Sequence, residues 1–389
     1  MPDSPDASIP LGLFHLQRRI GQGGMAEVWS GVHAVQQVPV AVKVMTAERA
    51  RNSQYRAAFR NEVQSMASLD HPGIVMVFDH GVVSPEAEEV SCGLLPAGSP
   101  CLAMELSDRG TLAAIPPESR DWTELRRTLL DLLDALGHAH ARGVIHRDLK
   151  PSNVLLFDGA GTIRLKLADF GLAQAFELQV GPDSTDFVCG TPTYMAPEQL
   201  RGEWRDYGPW TDLYGLGCLA WTLATGVPPF HEPGLLQLVR LQLEEDPPPF
   251  KPLFAMPSGF EGFLRRLLQK EPGRRFVRAA DAAWTLMRLG EPTLTPIPSP
   301  APPSPRESPP LPATWAPAVS RPPSMKLVGA GLGLYGLRSI PLVGRRAERD
   351  VLWQTLAEVH SEQRVRFVLL RGAAGNGKTR LAEGIAERA

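Results

Sequence analysis

The chain has little that would tie it to an oxidising compartment, a nucleic acid or a membrane. Only four of its 389 residues are cysteine, and Cys92, Cys101, Cys189 and Cys218 form no C-x-x-C pair, so they read as the reduced thiols of an intracellular protein. The formal net charge is −2, which excludes a nucleic-acid binder held by bulk charge. Long apolar runs are missing: the longest, around Leu327 to Leu337, is glycine-rich and falls short of the ~20 residues a spanning helix needs. The opening MPDSPDASIP is polar, carries acidic residues and has no apolar core, so it resembles neither a signal peptide nor an anchor. A cytoplasmic location is expected. At 43% hydrophobic and 21% charged residues, the composition is that of a soluble protein long enough for two domains or more.

What is present begins with His146-Arg147-Asp148-Leu149-Lys150-Pro151-Ser152-Asn153. Upstream, Gly21-Gln22-Gly23-Gly24-Met25-Ala26-Glu27-Val28 follows G-x-G-x-x-G-x-V except that Ala26 replaces the third glycine. A hairpin of this kind brings backbone N–H groups close to phosphates because no side chain intervenes. Val40-Ala41-Val42-Lys43-Val44 is a strand interrupted by one lysine, which alternation points to the same side as Ala41. A helix over residues 53–69 carries Glu62 within an apolar frame of Phe59, Val63, Met66 and Leu69. Asp169-Phe170-Gly171 follows the strand pattern Ile163 to Ala168. Farther on come Gly190-Thr191-Pro192-Thr193-Tyr194-Met195-Ala196-Pro197-Glu198, then Asp212 at the head of a buried helix, then Glu271-Pro272-Gly273-Arg274-Arg275-Phe276.

These runs resemble the eukaryotic-like, bacterial-type serine/threonine protein kinases over residues 14–289. The resemblance implies an α+β, bilobal protein kinase fold, with a small mainly-β N-lobe and a large mainly-α C-lobe. It implies transfer of the γ-phosphate of ATP, with Mg2+, to serine or threonine hydroxyls of proteins. Lys150 marks the serine/threonine form of the loop, since the tyrosine form resembles H-R-D-L-A-A-R-N. Asp148 is implied as base, Lys150 as stabiliser of the group in transfer, Lys43 paired with Glu62 as phosphate holder, and Asn153 with Asp169 as magnesium ligands. Nucleotide contacts fall to Ile20, Gly21, Gln22, Gly23, Gly24, Met25, Ala26, Glu27, Val28, Ala41, Lys43, the Glu105 carbonyl, the Leu106 amide and Leu155. Asp212 would fix the backbone of the 146–153 loop, and Arg275 would pair with Glu198. Arg147 beside Asp148 could read a phosphorylated hydroxyl, so autophosphorylation is expected at Thr185 first and Ser184 second. The partners are protein substrates, with no nucleic acid and no membrane span. A non-catalytic scaffold would have lost one of these groups, and Ala26 is the sole departure.

The expected division is 1–13, a disordered N-terminus; 14–289, the kinase domain; 290–324, a linker; and 325–389, a second unit. Thirteen prolines between Glu291 and Pro323 predict an extended, semi-rigid spacer. The second unit has a helix to about Glu362, a strand Arg366 to Arg371, then Gly372-Ala373-Ala374-Gly375-Asn376-Gly377-Lys378-Thr379, which is G-x-x-x-x-G-K-T. With its Val343-Gly344-Arg345 entry it resembles AAA-like P-loop ATPase modules attached to bacterial kinases. The chain stops ten residues past Thr379, so this unit is expected to be an incomplete α/β P-loop fragment without stable nucleotide binding.

Overall fold

Val40, Val42 and Val44 project to one face of a strand and Ala41, Lys43 and Met45 to the other, and all six are buried. A strand covered on both faces needs two apolar layers, and the small lobe supplies them. The computed structural model describes residues 8–23, 26–159, 161–170, 192–292, 311–315, 326–338, 344–373 and 375–388. Its main sheet is antiparallel, in the order β1-β2-β3-β4-β6-β5. The strands are β1 Ile9–Leu11, β2 Phe14–Gln22, β3 Ala26–His33, β4 Pro39–Met45, β5 Val77–Val82 and β6 Pro100–Glu105. Helix α1, Ala47–Ala50, leads into α2, Ser53–Ser68, whose first turn is capped by the Asn52 side chain accepting from Gln54 N–H at 2.8 Å. The inner face of the sheet joins Phe59, Val63 and Met66 of α2 in the main core. The outer face forms a second core with Leu16, Trp29, Val40, Val42, Val44 and Ala103.

The stretch between Val82 and Pro100 contains α3, Pro85–Val90, capped by Ser84 Oγ accepting from Ala87 N–H at 3.2 Å. Ala87 and Leu95 are buried in the outer core, so this insertion is a lid on that face.

The large lobe is built on α4, Trp122–His140, whose Leu125, Leu129, Leu132, Leu133 and Leu136 are buried at helical spacing. Its N-cap is Asp121, accepting from Glu124 N–H at 2.8 Å. A hairpin of β7, Val154–Asp158, and β8, Ile163–Leu167, lies across it. Helix α5, Pro197–Leu200, precedes α6, Pro209–Thr225, which is buried nearly all round. Helix α6 starts with proline at its first position and stops at Gly226, whose φ of +82° is the left-handed conformation glycine favours. Helices α7, Leu235–Glu244, α8, Phe260–Leu267, and α9, Ala279–Arg288, complete the lobe.

Beyond residue 343, the described residues form two helices, α10, Arg346–Glu362, and α11, Lys378–Ala386. The expected strand over Arg366 to Arg371 does not form. Those residues are irregular and Phe367 is 95% exposed. A strand is held by ladder hydrogen bonds, and no described residue offers it a neighbour. Residues 326–338, expected to open this unit, instead lie against the small lobe. Among the described residues, no helix is long and apolar enough to cross a membrane.

Candidate active site

Strand β4 and helix α2 bring Lys43 and Glu62 together, with Lys43 Nζ donating to Glu62 Oε1 at 2.9 Å. Lys43 also donates to Asp169 Oδ1 at 2.9 Å, which joins the small lobe to the loop after β8. Burial by itself would depress the Lys43 ammonium, but the Asp169 and Glu62 carboxylates outweigh it and raise the pKa. For Glu62, burial is the larger effect and pushes the carboxyl up to about 7 against the pull of Lys43. Its second oxygen, Oε2, is buried without a partner. Burial opposes ionisation of Asp169 as well, yet the Lys43 charge and hydrogen bond bring its pKa below the ordinary value. Asp169 therefore stays a carboxylate, and its side chain is 31% exposed.

The 146–153 loop faces this triad. Lys150 Nζ donates to Asp148 Oδ2 at 2.7 Å, and Asn153 Nδ2 donates to Asp148 Oδ2 at 3.0 Å and to its backbone carbonyl at 2.8 Å. Both side-chain contacts fall on Oδ2, so Oδ1 has no partner among the described residues. The loop is held in a costly conformation, with Arg147 at φ +68°, and Asp169 after β8 is likewise at φ +61°, values that side chains rarely adopt. Hydrogen bonds from three directions hold the loop there. Asp212 Oδ2 accepts from His146 N–H at 2.8 Å, and its Oδ1 accepts from Arg147 N–H at 2.7 Å. Gln199 Nε2 donates to the Arg147 carbonyl at 2.8 Å, and the buried His146 ring bonds the Ala168 carbonyl at 2.9 Å.

The predicted nucleotide contacts are carried by β2, β3, β4, the end of β6 and β7. Ala41 and Met104 are buried opposite one another in the β4–β6 register, and Val28, Leu106 and Leu155 pack on the same core. Ile20 and Gln22 are exposed, Gly21 and Glu27 are half-buried, and Gly23 N–H donates to the Ala26 carbonyl at 2.9 Å across the tip of the β2–β3 hairpin. Gly24 and Met25 lie outside the described residues. The Glu105 carboxylate accepts from Met76 N–H at 2.9 Å and from Lys166 Nζ at 2.7 and 2.6 Å.

A family model described as protein kinase domain matches residues 14–283. The chain belongs to the protein kinase family. It is 35% identical over 278 residues to the serine/threonine-protein kinase Pkn1 of Myxococcus xanthus, which covers 71% of this chain and 38% of that protein. It is 34% identical over 293 residues to the serine/threonine-protein kinase PknB of Mycobacterium leprae, covering 73% of this chain and 44% of that protein. The chain thus spans about two fifths of the length of these curated relatives, at 38% and 44%. The crystal structure of the Mycobacterium tuberculosis PknI kinase domain overlays with a TM-score of 0.52 at 25% identity, over 74% of this chain and 100% of that one.

Supports behind the site include one pair expected from its motifs and two residues, Gln242 and His140, that no motif announced. Arg275 and Glu198 meet as a buried two-pronged ion pair, with both N–O distances 2.8 Å. Gln242 on α7 is fully buried, donates to the Pro192 and Thr193 carbonyls at 3.2 and 2.6 Å, and accepts from the Tyr214 hydroxyl. His140 Nε2 bonds Asp212 Oδ2 at 2.7 Å and braces the carboxylate that braces the loop. The only sequence signal for Gln242 is a glutamine on the apolar side of an amphipathic helix. Gly171, Ser184, Thr185 and Thr191 lie outside the described residues.

Proposed function

We propose that this chain is a serine/threonine protein kinase that moves the γ-phosphoryl group of ATP to serine and threonine hydroxyls of proteins, itself included. The observation that carries the reading is Lys43 bonded at once to Glu62 and Asp169, opposite Asp148, Lys150 and Asn153. Oxygen donors suit a hard cation such as magnesium. Asp169 is held ionised, and Asn153 uses its amide nitrogen on Asp148, so its oxygen is the atom left for a metal. Bound there, magnesium supplies neutralising charge to the phosphates. Lys43, fixed by Glu62, holds the α and β phosphates. The side chains of Val28, Ala41, Met104 and Leu155 pack against the adenine ring, with the Glu105 carbonyl and Leu106 N–H on its edge. Residues 20–28 cover the phosphates with backbone N–H groups. Asp148 orients the substrate hydroxyl and accepts its proton at Oδ1, while Lys150 stabilises the group in transfer. Most of the rate comes from positioning and charge, so these groups act as one set. A cytoplasmic setting accompanies this reading, and Cys92, Cys101 and Cys218 are free thiols. The test is transfer from γ-labelled ATP with magnesium to mixed peptides, followed by phosphoamino-acid analysis and site mapping. Label in phosphoserine and phosphothreonine, with self-labelling at Thr185 or Ser184, is expected; label in phosphotyrosine alone contradicts the reading.

For residues 372–379 we propose the identity of a phosphate loop from an AAA-like ATPase module. The support is local: Gly375 and Gly377 have φ of +79° and +72°, helix α11 begins at Lys378, and Lys378 Nζ reaches back to the Gly372 and Ala373 carbonyls at 2.9 and 2.8 Å. Because the unit as given is incomplete, the test supplies the rest of such a module in a longer chain carrying Lys43→Met: azido-ATP should then label 372–379, and an unlabelled loop overturns the assignment.

A further inference from the structure

The glycine-rich run after the proline-dense stretch is not a free tail. In Lys326 to Arg338, Leu327 and Leu334 are buried, while Val328, Leu332 and Tyr335 face outward, with Tyr335 91% exposed. Gly329, Gly331 and Gly336 have positive φ, so the segment turns repeatedly instead of forming a helix or strand. At its start, Val328 N–H donates to Gln36 Oε1 at 2.7 Å, and the Val328 carbonyl lies 3.1 Å from His33 Nε2. His33 is fully buried and its Nδ1 accepts from Gln36 N–H, so Nε2 is the donor to Val328. At its end, Gly333 N–H donates to Asp79 Oδ1 at 3.1 Å and Arg338 Nη2 donates to the Val77 carbonyl at 2.7 Å.

Those last partners belong to β5, the edge strand of the sheet. Unpaired strand edges are normally covered or charged, and here a segment of the same chain covers one. Its two anchors fall in different layers. Leu327 joins the outer core with Phe78, and Leu334 joins the inner core with Val77 and with Phe59, Val63 and Met66 of α2. The segment therefore wraps the free edge of β5 from one face of the sheet to the other. The approach is too close for any side chain at residue 333: a Cβ there would stand 2.4 Å from the His80 carbonyl oxygen and 2.7 Å from Asp79 Oδ1.

We propose that the edge and outer face of the small lobe are a docking surface for residues 326–338 of the same chain, and that docking braces α2 where Glu62 meets Lys43. The route runs from Leu334 through the shared core to Phe59, Val63 and Met66, one turn either side of Glu62. The docking stands independently of catalysis, whereas its effect on phosphoryl transfer rests on the kinase reading above.

The test uses the full chain in three forms, wild type, Gly333→Ala and, as control, Leu332→Ala, whose side chain is 81% exposed. Hydrogen–deuterium exchange is read in 326–338, in β5 and in α2, alongside transfer from labelled ATP. Gly333→Ala should speed exchange in all three regions by about tenfold or more, as local opening does, and lower transfer by a similar factor, while Leu332→Ala leaves both unchanged. Unchanged exchange in β5 and 326–338 overturns the docking. Faster exchange there with α2 and transfer unchanged overturns the brace. If Gly333→Ala is too unstable to purify, Arg338→Ala removes the Val77 contact alone and is judged by the same readings. If wild type transfers nothing, the kinase reading fails by itself, and α2 exchange still decides the brace.

Discussion

Replacing Glu198 with alanine should unfold the large lobe far more readily than the loss of one ion pair at a surface. Arg275 is fully buried, and each of its five N–H donors has an acceptor: Glu198 Oε1 and Oε2, the Trp210 carbonyl, the Gln269 carbonyl and the Lys270 carbonyl. Removing the carboxylate leaves a guanidinium charge without compensation in the core, and Thr211 Oγ1 loses the acceptor it holds at 2.9 Å. Breaking a buried pair from one side costs about 3–5 kcal/mol. At about 2–4 °C per kcal/mol for a domain of this order of size, the melting temperature should fall roughly 6–20 °C. Urea unfolding followed by tryptophan fluorescence reads the same quantity, because Trp210 and Trp221 lie in the affected helix. The double variant Glu198→Leu with Arg275→Met should recover much of the loss, since an apolar pair of similar volume leaves no buried charge. A loss below about 1 kcal/mol for Glu198→Ala, the value of an exposed pair, refutes the reasoning.

Three other outcomes follow from the same geometry. Asp212→Asn cannot accept from His146, Arg147 and His140 as the carboxylate does, and should cost about 1–3 kcal/mol together with transfer activity. The buried Asp212 is held below the ordinary 3.8 by its His140 hydrogen bond, so its stabilisation is present above that value and lost as pH falls through the lower folded one. Unfolding measured below pH 4 should accordingly be flatter with pH in the variant. Gln242→Leu leaves the Tyr214 hydroxyl and two backbone carbonyls without their partner, at about 1–3 kcal/mol, and should raise KM for protein substrate more than KM for ATP. Burial pushes the Cys101 and Cys218 thiols up to about 12, so in the folded chain alkylation mapped by mass spectrometry should fall on the exposed Cys92 before either of them.

Much of the kinase domain was legible because its chemistry demands particular residues at fixed spacing. Lys43 stands alone in a valine strand and Glu62 alone in an apolar helix face, so their meeting could be anticipated from pattern, as could the pairing of Arg275 with Glu198. Supports that work through shape left weaker traces. Gln242 and His140 belong to no motif and gain their roles from what folds beside them. The outer-face covers of β4, α3 and residues 326–338, are distant in sequence and glycine-rich or polar, so nothing in the β4 run pointed to them. The strand expected at 366–371 had the right composition. Composition makes a strand only where a neighbour completes its ladder, and among the described residues there is none.

On the proposed reading, Asp148, set in this loop, serves phosphoryl transfer. The most direct measurement is label incorporation from γ-labelled ATP and magnesium into the chain itself and into a generic basic protein, comparing wild type with Asp148→Asn. Incorporation by wild type is expected, with its loss, by a factor on the order of a hundred or more, in a variant that keeps the loop's shape. Equal incorporation by the two proteins, or none by wild type under any condition in which it binds ATP, contradicts the reading.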